Sequence, residues 1–212
     1  MKLSHEPPKN FIKPNQIMGL GPRILGWTIP EKFVNELNKD CENVTKPENF
    51  EEHDFSKSLI GQIEIQAGFG DGLSSECDQW LLDRFGDYLY TDESKNMPKS
   101  LAYIFDGRWY NRTMKSKEYN PEHIHPNALL TSVGYLKLPS NFKEELSKPQ
   151  KKGIGGGLDI IYGEKSPFVT NRLTLIPDVG TFFIFPATTR HAVYPMPDTI
   201  TEERRSFSIN FR

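Results

Sequence analysis

From Leu158 to Phe211 the chain breaks into short runs: Leu158–Tyr162, Arg172–Ile176, Gly180–Phe185, His191–Tyr194 and Arg204–Phe211. They are separated by stretches rich in Pro, Gly and Asp. Runs of this length, bounded by residues that interrupt regular structure, read as strands. Many short strands bury their apolar faces by packing sheet on sheet, so a β-sandwich or jelly roll is expected. The pattern starts earlier. Leu101–Phe105 and Arg108–Met114 read as two strands around an Asp106-Gly107 turn, and residues 123–138 hold a long strand pattern ending at Pro139. The continuously apolar Phe182–Phe185 is expected to be covered on both faces. Gly155–Gly157 is not a phosphate loop, since no Gly-Lys-Ser/Thr follows it, and it reads as a flexible hairpin loop.

The first hundred residues differ. Residues 1–23 are rich in Pro, Lys and Asn and read as an arm, followed by the short apolar run Ile24–Ile29. Pro30 opens a helix expected to run to about Asp40, with Phe33, Val34 and Leu37 as its stripe. Residues 41–58 read as a polar connection, Ser58–Ile65 as a strand and Gly68–Gly72 as a turn. Ser74 or Ser75 is expected to cap a second helix carrying Trp80, Leu81, Phe85, Tyr88 and Leu89. Residues 1–100 are therefore expected to be an arm and helical support, and 101–212 the β core, together one compact domain.

Composition narrows the function classes. In 212 residues Lys+Arg number 26 against Asp+Glu 28, so no basic excess points to nucleic acid and no polybasic run to a membrane surface. The Met-Lys-Leu-Ser-His-Glu start lacks a signal-peptide core, and no apolar run spans a bilayer, so a cytoplasmic protein is expected. Cys41 and Cys77 read as reduced thiols there.

The chemistry-bearing residues cluster in the β half. His123 and His125 lie at i and i+2, on one side of an extended segment, and Pro121 and Pro126 bracket them. A third imidazole beside them, from His191, would complete a ligand cluster for a first-row metal. The plainer reading makes each a surface or hydrogen-bonded core histidine. Alternation along Arg204–Phe211 puts Arg204, Ser206, Ser208 and Asn210 on one face, and Arg205, Phe207, Ile209 and Phe211 on the other. A polar face of this kind is either solvated or lines a pocket. In a pocket, Arg204 can grip a carboxylate bidentately, with the Ser206 hydroxyl beside it.

Several segments together resemble the iron(II)- and 2-oxoglutarate-dependent dioxygenases, and more closely a branch of small oxygenase-like proteins of phages and bacteria. They are Trp109-Tyr-Asn111, Glu118–Pro126, Thr131–Pro139, Ile184–Pro195 and Glu203–Asn210. The resemblance covers roughly Leu101 to the C-terminus. It implies an α+β, mainly β fold: a double-stranded β-helix, or jelly roll, with the N-terminal helices on one face. It also implies iron(II), 2-oxoglutarate as co-substrate and molecular oxygen. The metal ligands it implies are His123, His125 and His191, and Arg204 and Ser206 bind the distal carboxylate of the oxo-acid. Asn111 is placed to hydrogen-bond the oxo-acid, and Tyr135 to reach the same carboxylate as Arg204. For Trp109 and Tyr135 core packing is the first expectation.

One position departs from the family pattern, because His125 stands where the family carries Asp or Glu. Glu122 and Asn127 are the nearby oxygen donors, and Glu122 lies out of the strand phase of His123. The expected activity is hydroxylation of a C–H bond of an unidentified substrate, with 2-oxoglutarate converted to succinate. A peptidyl proline is one candidate; a nucleobase or a small metabolite is another. The competing readings are a cupin-like metal enzyme that does not use 2-oxoglutarate, and a non-catalytic jelly-roll binding or structural protein.

Overall fold

The computed structural model describes residues 12–13, 15–16, 21–90, 104–114, 116–148, 155–167 and 170–212. The N-terminal part comprises β1 (Asn15–Gln16), β2 (Leu25–Thr28), α1 (Glu31–Val44), α2 (Pro47–His53), β3 (Ile65–Gly68) and α3 (Ser75–Tyr90). The rest comprises β4 (Phe105–Thr113), β5 (Asn120–His123), β6 (Leu130–Lys137), α4 (Phe142–Ser147), β7 (Leu158–Ile161), β8 (Arg172–Leu175), β9 (Thr181–Pro186), β10 (Arg190–Val193) and β11 (Arg204–Phe211). The strands form two sheets, a seven-stranded one in the order β1-β2-β9-β6-β11-β4-β3 and a four-stranded one in the order β5-β10-β7-β8. Every pairing is antiparallel. This is the jelly roll expected from the sequence.

Side-chain alternation builds the layers. Phe182 and Ile184 of β9, with Phe207, Ile209 and Phe211 of β11, join Phe33, Val34 and Leu37 of α1 and Leu81, Phe85 and Tyr88 of α3 in one buried cluster. Phe183 and Phe185 point the other way, into a second cluster with Val133, Tyr135, Leu158, Ile160 and Val193 between the sheets. The helices thus cover one face of the large sheet and the small sheet covers the other, which is why β9 is apolar at every step. Ser74 Oγ accepts the Cys77 N–H at 3.2 Å and starts α3, with Glu76 and Asp78 in the first turn. Cys41 and Cys77 are free and buried, and burial pushes both thiols up to about 12. Among the described residues no helix is long and apolar enough to cross a membrane.

Several local expectations are corrected. Asp106-Gly107 does not turn the chain. β4 runs straight through it, paired with β11 along its length, and the irregularity between Asn210 and Phe211 absorbs the extra residue. Pairing with a long central neighbour overrides the local turn preference. Residues 101–103 of the expected first strand lie outside the described residues. Ser58–Ile65 is not a strand: it crosses the sheet edge as a strap, held by the bridges Asp54↔Ala67 and Gln62↔Tyr119, and β3 begins only at Ile65. Residues 41–58 are not mere connection, since α1 continues to Val44 and α2 follows. The 123–138 pattern is two strands, β5 and β6, which the turn at Pro126-Asn127 sends to different sheets. The first hundred residues are not only helical, because β2 and β3 flank the large sheet. Gly155–Gly157 is buried rather than free; a Cβ on Gly155 would lie 2.1 Å from the Pro195 carbonyl oxygen.

An ionic clamp ties α1 to the start of β11. Glu203 accepts from Arg112 Nε at 2.7 Å and Arg205 Nε at 2.9 Å, while Arg205 Nη1 donates to Asn38 Oδ1 at 2.8 Å and Glu42 at 3.1 Å. Burial raises the Glu203 carboxyl, but the hydrogen bonds from Arg205 and Arg112 outweigh it and hold the group at about 2, below its ordinary 4.5. A depressed carboxyl contributes stability that is fully present above the ordinary value and is lost as pH falls through the folded one. Glu203→Gln should therefore cost about 3 kcal/mol near neutral pH. Its deficit against wild type in urea melts should shrink steadily between pH 4.5 and 2; a constant deficit would refute the clamp. Gly134 gives a second check. A Cβ there would lie 2.2 Å from the Phe207 ring, so Gly134→Ala should destabilise by about 1–3 kcal/mol through overpacking.

Candidate metal centre and anion pocket

Between the sheets lies a cavity of about 390 Å³. The small sheet supplies its histidines. Antiparallel pairing of β5 with β10 sets His123 opposite His191, with ring centroids 4.2 Å apart. His125 lies just beyond β5, where its backbone N–H donates to the Ala187 carbonyl at 2.8 Å. That bond returns its ring to the same place, and His125 Nε2 sits 3.3 Å from His191 Nε2. One ligand nitrogen from each of the three lies within 4.8 Å of the others.

The ring orientations follow from their hydrogen bonds. His123 Nδ1 meets the Pro121 carbonyl at 2.7 Å, and His191 Nδ1 meets the Thr189 carbonyl at 2.9 Å. A carbonyl only accepts, so Nδ1 carries the proton in both rings and Nε2 keeps its lone pair for a ligand. Burial lowers all three imidazoles: His123 moderately, His125 to about 4 and His191 well below its ordinary value, with the neighbouring His123 lowering the last two further. They are neutral at physiological pH, the state in which imidazole binds metal. Phe185 meets His191 edge-on at 5.0 Å, and Trp109 lies 5.9 Å from His125. Glu122 faces outward in an exposed pair with Arg190 at 3.0 Å, and Asn127 sits in the cavity wall. Among the described residues the cluster consists of imidazoles alone.

The large sheet supplies the opposite wall. Arg204 is 2% exposed, with its guanidinium 5.9 Å from the Tyr135 ring centroid. No carboxylate among the described residues pairs with it, its Nε has no partner, and burial lowers its pKa. Leaving a guanidinium buried without a counter-ion costs several kcal/mol, so the pocket is built for an anion. The neighbouring Arg205, on the helix side of the same strand, is fully engaged by Glu203, Asn38 and Glu42. Ser206 and Asn111 line the cavity too, cross-paired between β11 and β4. Tyr135, opposite Ser206 on β6, is fully buried in the core between the sheets, and its hydroxyl has no partner.

Of the site residues expected from the sequence, the three histidines, Asn111, Arg204 and Ser206 line one cavity, whereas Tyr135 lies outside that lining, in the core beside Arg204. Sequence reasoning missed the third wall, made by the strap and β3. Phe55 stacks on Trp109 at 5.7 Å, Ile60 and Gly61 line the mouth, and Gln66 donates to Asn111 Oδ1 at 2.7 Å. The available signal was a glutamine between the apolar residues Ile65 and Ala67.

Three imidazoles fit a first-row metal with open coordination positions, and a buried unpaired guanidinium beside them fits an anionic ligand. No curated protein matches the chain in sequence. In fold it is similar to a prolyl-4-hydroxylase of Pseudomonas putida (TM-score 0.58, 15% identity, covering 89% of this chain and 91% of that one). It is also similar to a prolyl hydroxylase of Trichoplax adhaerens, solved with a hypoxia inducible factor oxygen degradation domain peptide fragment (TM-score 0.53, 13% identity, covering 89% and 82%). Residues 107–210 match the family described as "Putative 2OG-Fe(II) oxygenase", whose chemistry implies iron(II), 2-oxoglutarate and oxygen. These residues, which carry the three histidines, Asn111, Arg204 and Ser206, form a domain of the 2OG-Fe(II) oxygenase family.

Proposed function

We propose that this protein is an iron(II)- and 2-oxoglutarate-dependent hydroxylase. His123, His125 and His191 hold the iron. Arg204 and Ser206 take the distal carboxylate of the oxo-acid, with Asn111 and Tyr135 as further donors. Residues 101–212 form the oxygenase core, and 1–100 act as its support. The observation that carries this reading is the pairing, within one cavity, of three neutral inward-facing imidazoles with a buried arginine that lacks a counter-ion. When bound, the iron and oxo-acid supply the oxidation: oxygen converts 2-oxoglutarate to succinate and carbon dioxide, and its second atom is inserted into a substrate C–H bond.

The protein's own part is placement and charge. Three neutral ligands leave the charge of a divalent ion uncompensated, and Arg204 adds another positive charge nearby. A dianionic chelator answers both. This favours the oxo-acid reading over a cupin-like enzyme, which has no use for an unpaired buried arginine. The apolar packing of Phe185 and Trp109 on the rings shields the site from water. The substrate enters where Phe55, Ile60 and Ile124 line the cavity. A peptidyl proline is the leading candidate, because both similar structures are prolyl hydroxylases and one holds a peptide. A nucleobase or small metabolite is the alternative.

The test is an anaerobic titration with iron(II) and 2-oxoglutarate, following the visible metal-to-ligand charge-transfer band. Wild type should give a saturable band, and His191→Ala should abolish it. Iron binding without a band would favour the cupin-like reading, and no iron binding would leave a scaffold. Arg204→Met should raise the 2-oxoglutarate Kd by roughly a hundredfold, as expected for a lost charge-assisted pair. The same variant removes an unpaired buried charge, so its melting temperature without ligand should equal or exceed that of wild type. A large drop would show that Arg204 has a structural partner instead.

A further inference from the structure

Four polar residues form one rung across the large sheet. Gln66 on β3 pairs with Asn111 on β4, Asn111 with Ser206 on β11, and Ser206 with Tyr135 on β6. Directly opposed residues project to the same face of a sheet, here the cavity face, and Gln66, Asn111 and Ser206 all line the cavity. Gln66 is 1% exposed and Asn111 2%. Gln66 Nε2 donates to Asn111 Oδ1 at 2.7 Å, while Gln66 Oε1 has no partner.

We infer that Gln66 is a positioning residue for oxo-acid binding, acting by fixing which end of the Asn111 amide faces the cavity. This rests on the reading of the cavity as a 2-oxoglutarate site. A carboxamide can offer a donor or an acceptor, and the two ends have nearly the same shape. The bond from Gln66 occupies the acceptor end of Asn111, so the end left for the cavity is the Nδ2 donor. 2-Oxoglutarate carries only acceptors, two carboxylates and a ketone. An Asn111 turned the other way would present an oxygen to an anion. With Asn111 held, Asn111, Ser206 and Arg204 together face the cavity with donors. On this inference Gln66 acts through Asn111, and it comes from an edge strand that lies outside the family match at 107–210.

The experiment is a double-mutant cycle on the complete protein, read by the charge-transfer titration. Gln66→Met keeps the bulk of the side chain and removes the donor. It should raise the 2-oxoglutarate Kd about tenfold, the scale of one hydrogen bond. Iron(II) affinity without oxo-acid should stay unchanged. In an Asn111→Ala background Gln66→Met should have no further effect on the Kd, because the group it orients is gone. Should Gln66→Met fail to fold, Gln66→Glu takes its place. It can only accept, so it turns Asn111 round, and its charge also repels the dianion; 2-oxoglutarate should weaken by more than tenfold, and the part of that loss owed to Asn111 should vanish in the Asn111→Ala background. An unmoved Kd, or losses that add in the double mutant, overturns the inference while leaving the oxygenase reading intact. A wild type that binds iron yet gives no oxo-acid band overturns the oxygenase reading, and this inference with it.

Discussion

Alternation along β11 is the constraint on which the molecule depends. One strand near the middle of the large sheet carries two unrelated tasks, divided by odd and even positions. Arg204, Ser206, Ser208 and Asn210 face the cavity. Phe207, Ile209 and Phe211 face the helix layer, and Arg205 reaches α1. Because the side-chain period is two, a one-residue slip would drive the arginine into the helix layer and the phenylalanines into the cavity. The Glu203 clamp at the head of the strand, and the pressure of Phe207 on Gly134, fix the register from the helix side. The cavity inherits its geometry from packing on the far face of the sheet.

The two sheets bring opposite halves of an incomplete electrostatic arrangement. The small sheet contributes neutral bases, kept neutral by burial. The large sheet contributes a cation that burial works to discharge. The imidazoles carry no charge of their own, whereas no carboxylate among the described residues pairs with the Arg204 guanidinium, whose Nε has no partner. Under the proposed function a bound dianion would give the buried guanidinium the counter-ion it lacks. An active site that carries such unbalanced charge lowers the stability of the empty protein. That cost is set against the large apolar clusters on both faces of the sheet.

Much of this was legible in the sequence where local pattern and tertiary outcome agree. The β11 alternation and the double-sided apolar β9 are written in residue spacing, whereas the grouping of His123, His125, His191 and Arg204 came from the family resemblance. The failures share a cause. Asp106-Gly107 has the chemistry of a hairpin turn, yet β11 offers a longer pairing partner and wins. The 123–138 segment looks like one strand because both halves are extended, and only the sheet order shows that the turn changes sheets. Ser58–Ile65 carries strand-like apolar residues, yet Ile63 is buried while Ile60 stands exposed at the cavity lining, and the backbone pairs at the single bridge Gln62↔Tyr119 rather than along a ladder. Gln66 left only a faint signal, a polar residue between Ile65 and Ala67, because its partner Asn111 lies forty-five residues on.

That last case bears on how the chain divides its labour. The family match begins at residue 107, whereas Phe55, Ile60, Gly61 and Gln66 precede it and still line the cavity. The family domain alone would have a metal cluster and an arginine but an open flank where β3 now lies. The strap closes that flank tightly: a Cβ on Gly61 would sit 2.2 Å from Asn120 Oδ1 and 2.9 Å from Gln66 Nε2. The strap and β3 are thus packed against each other where Gly61 meets Gln66, and Gln66 in turn bonds Asn111. The N-terminal segment contributes both apolar lining, at Phe55 and Ile60, and a polar contact to a cavity residue of the family domain.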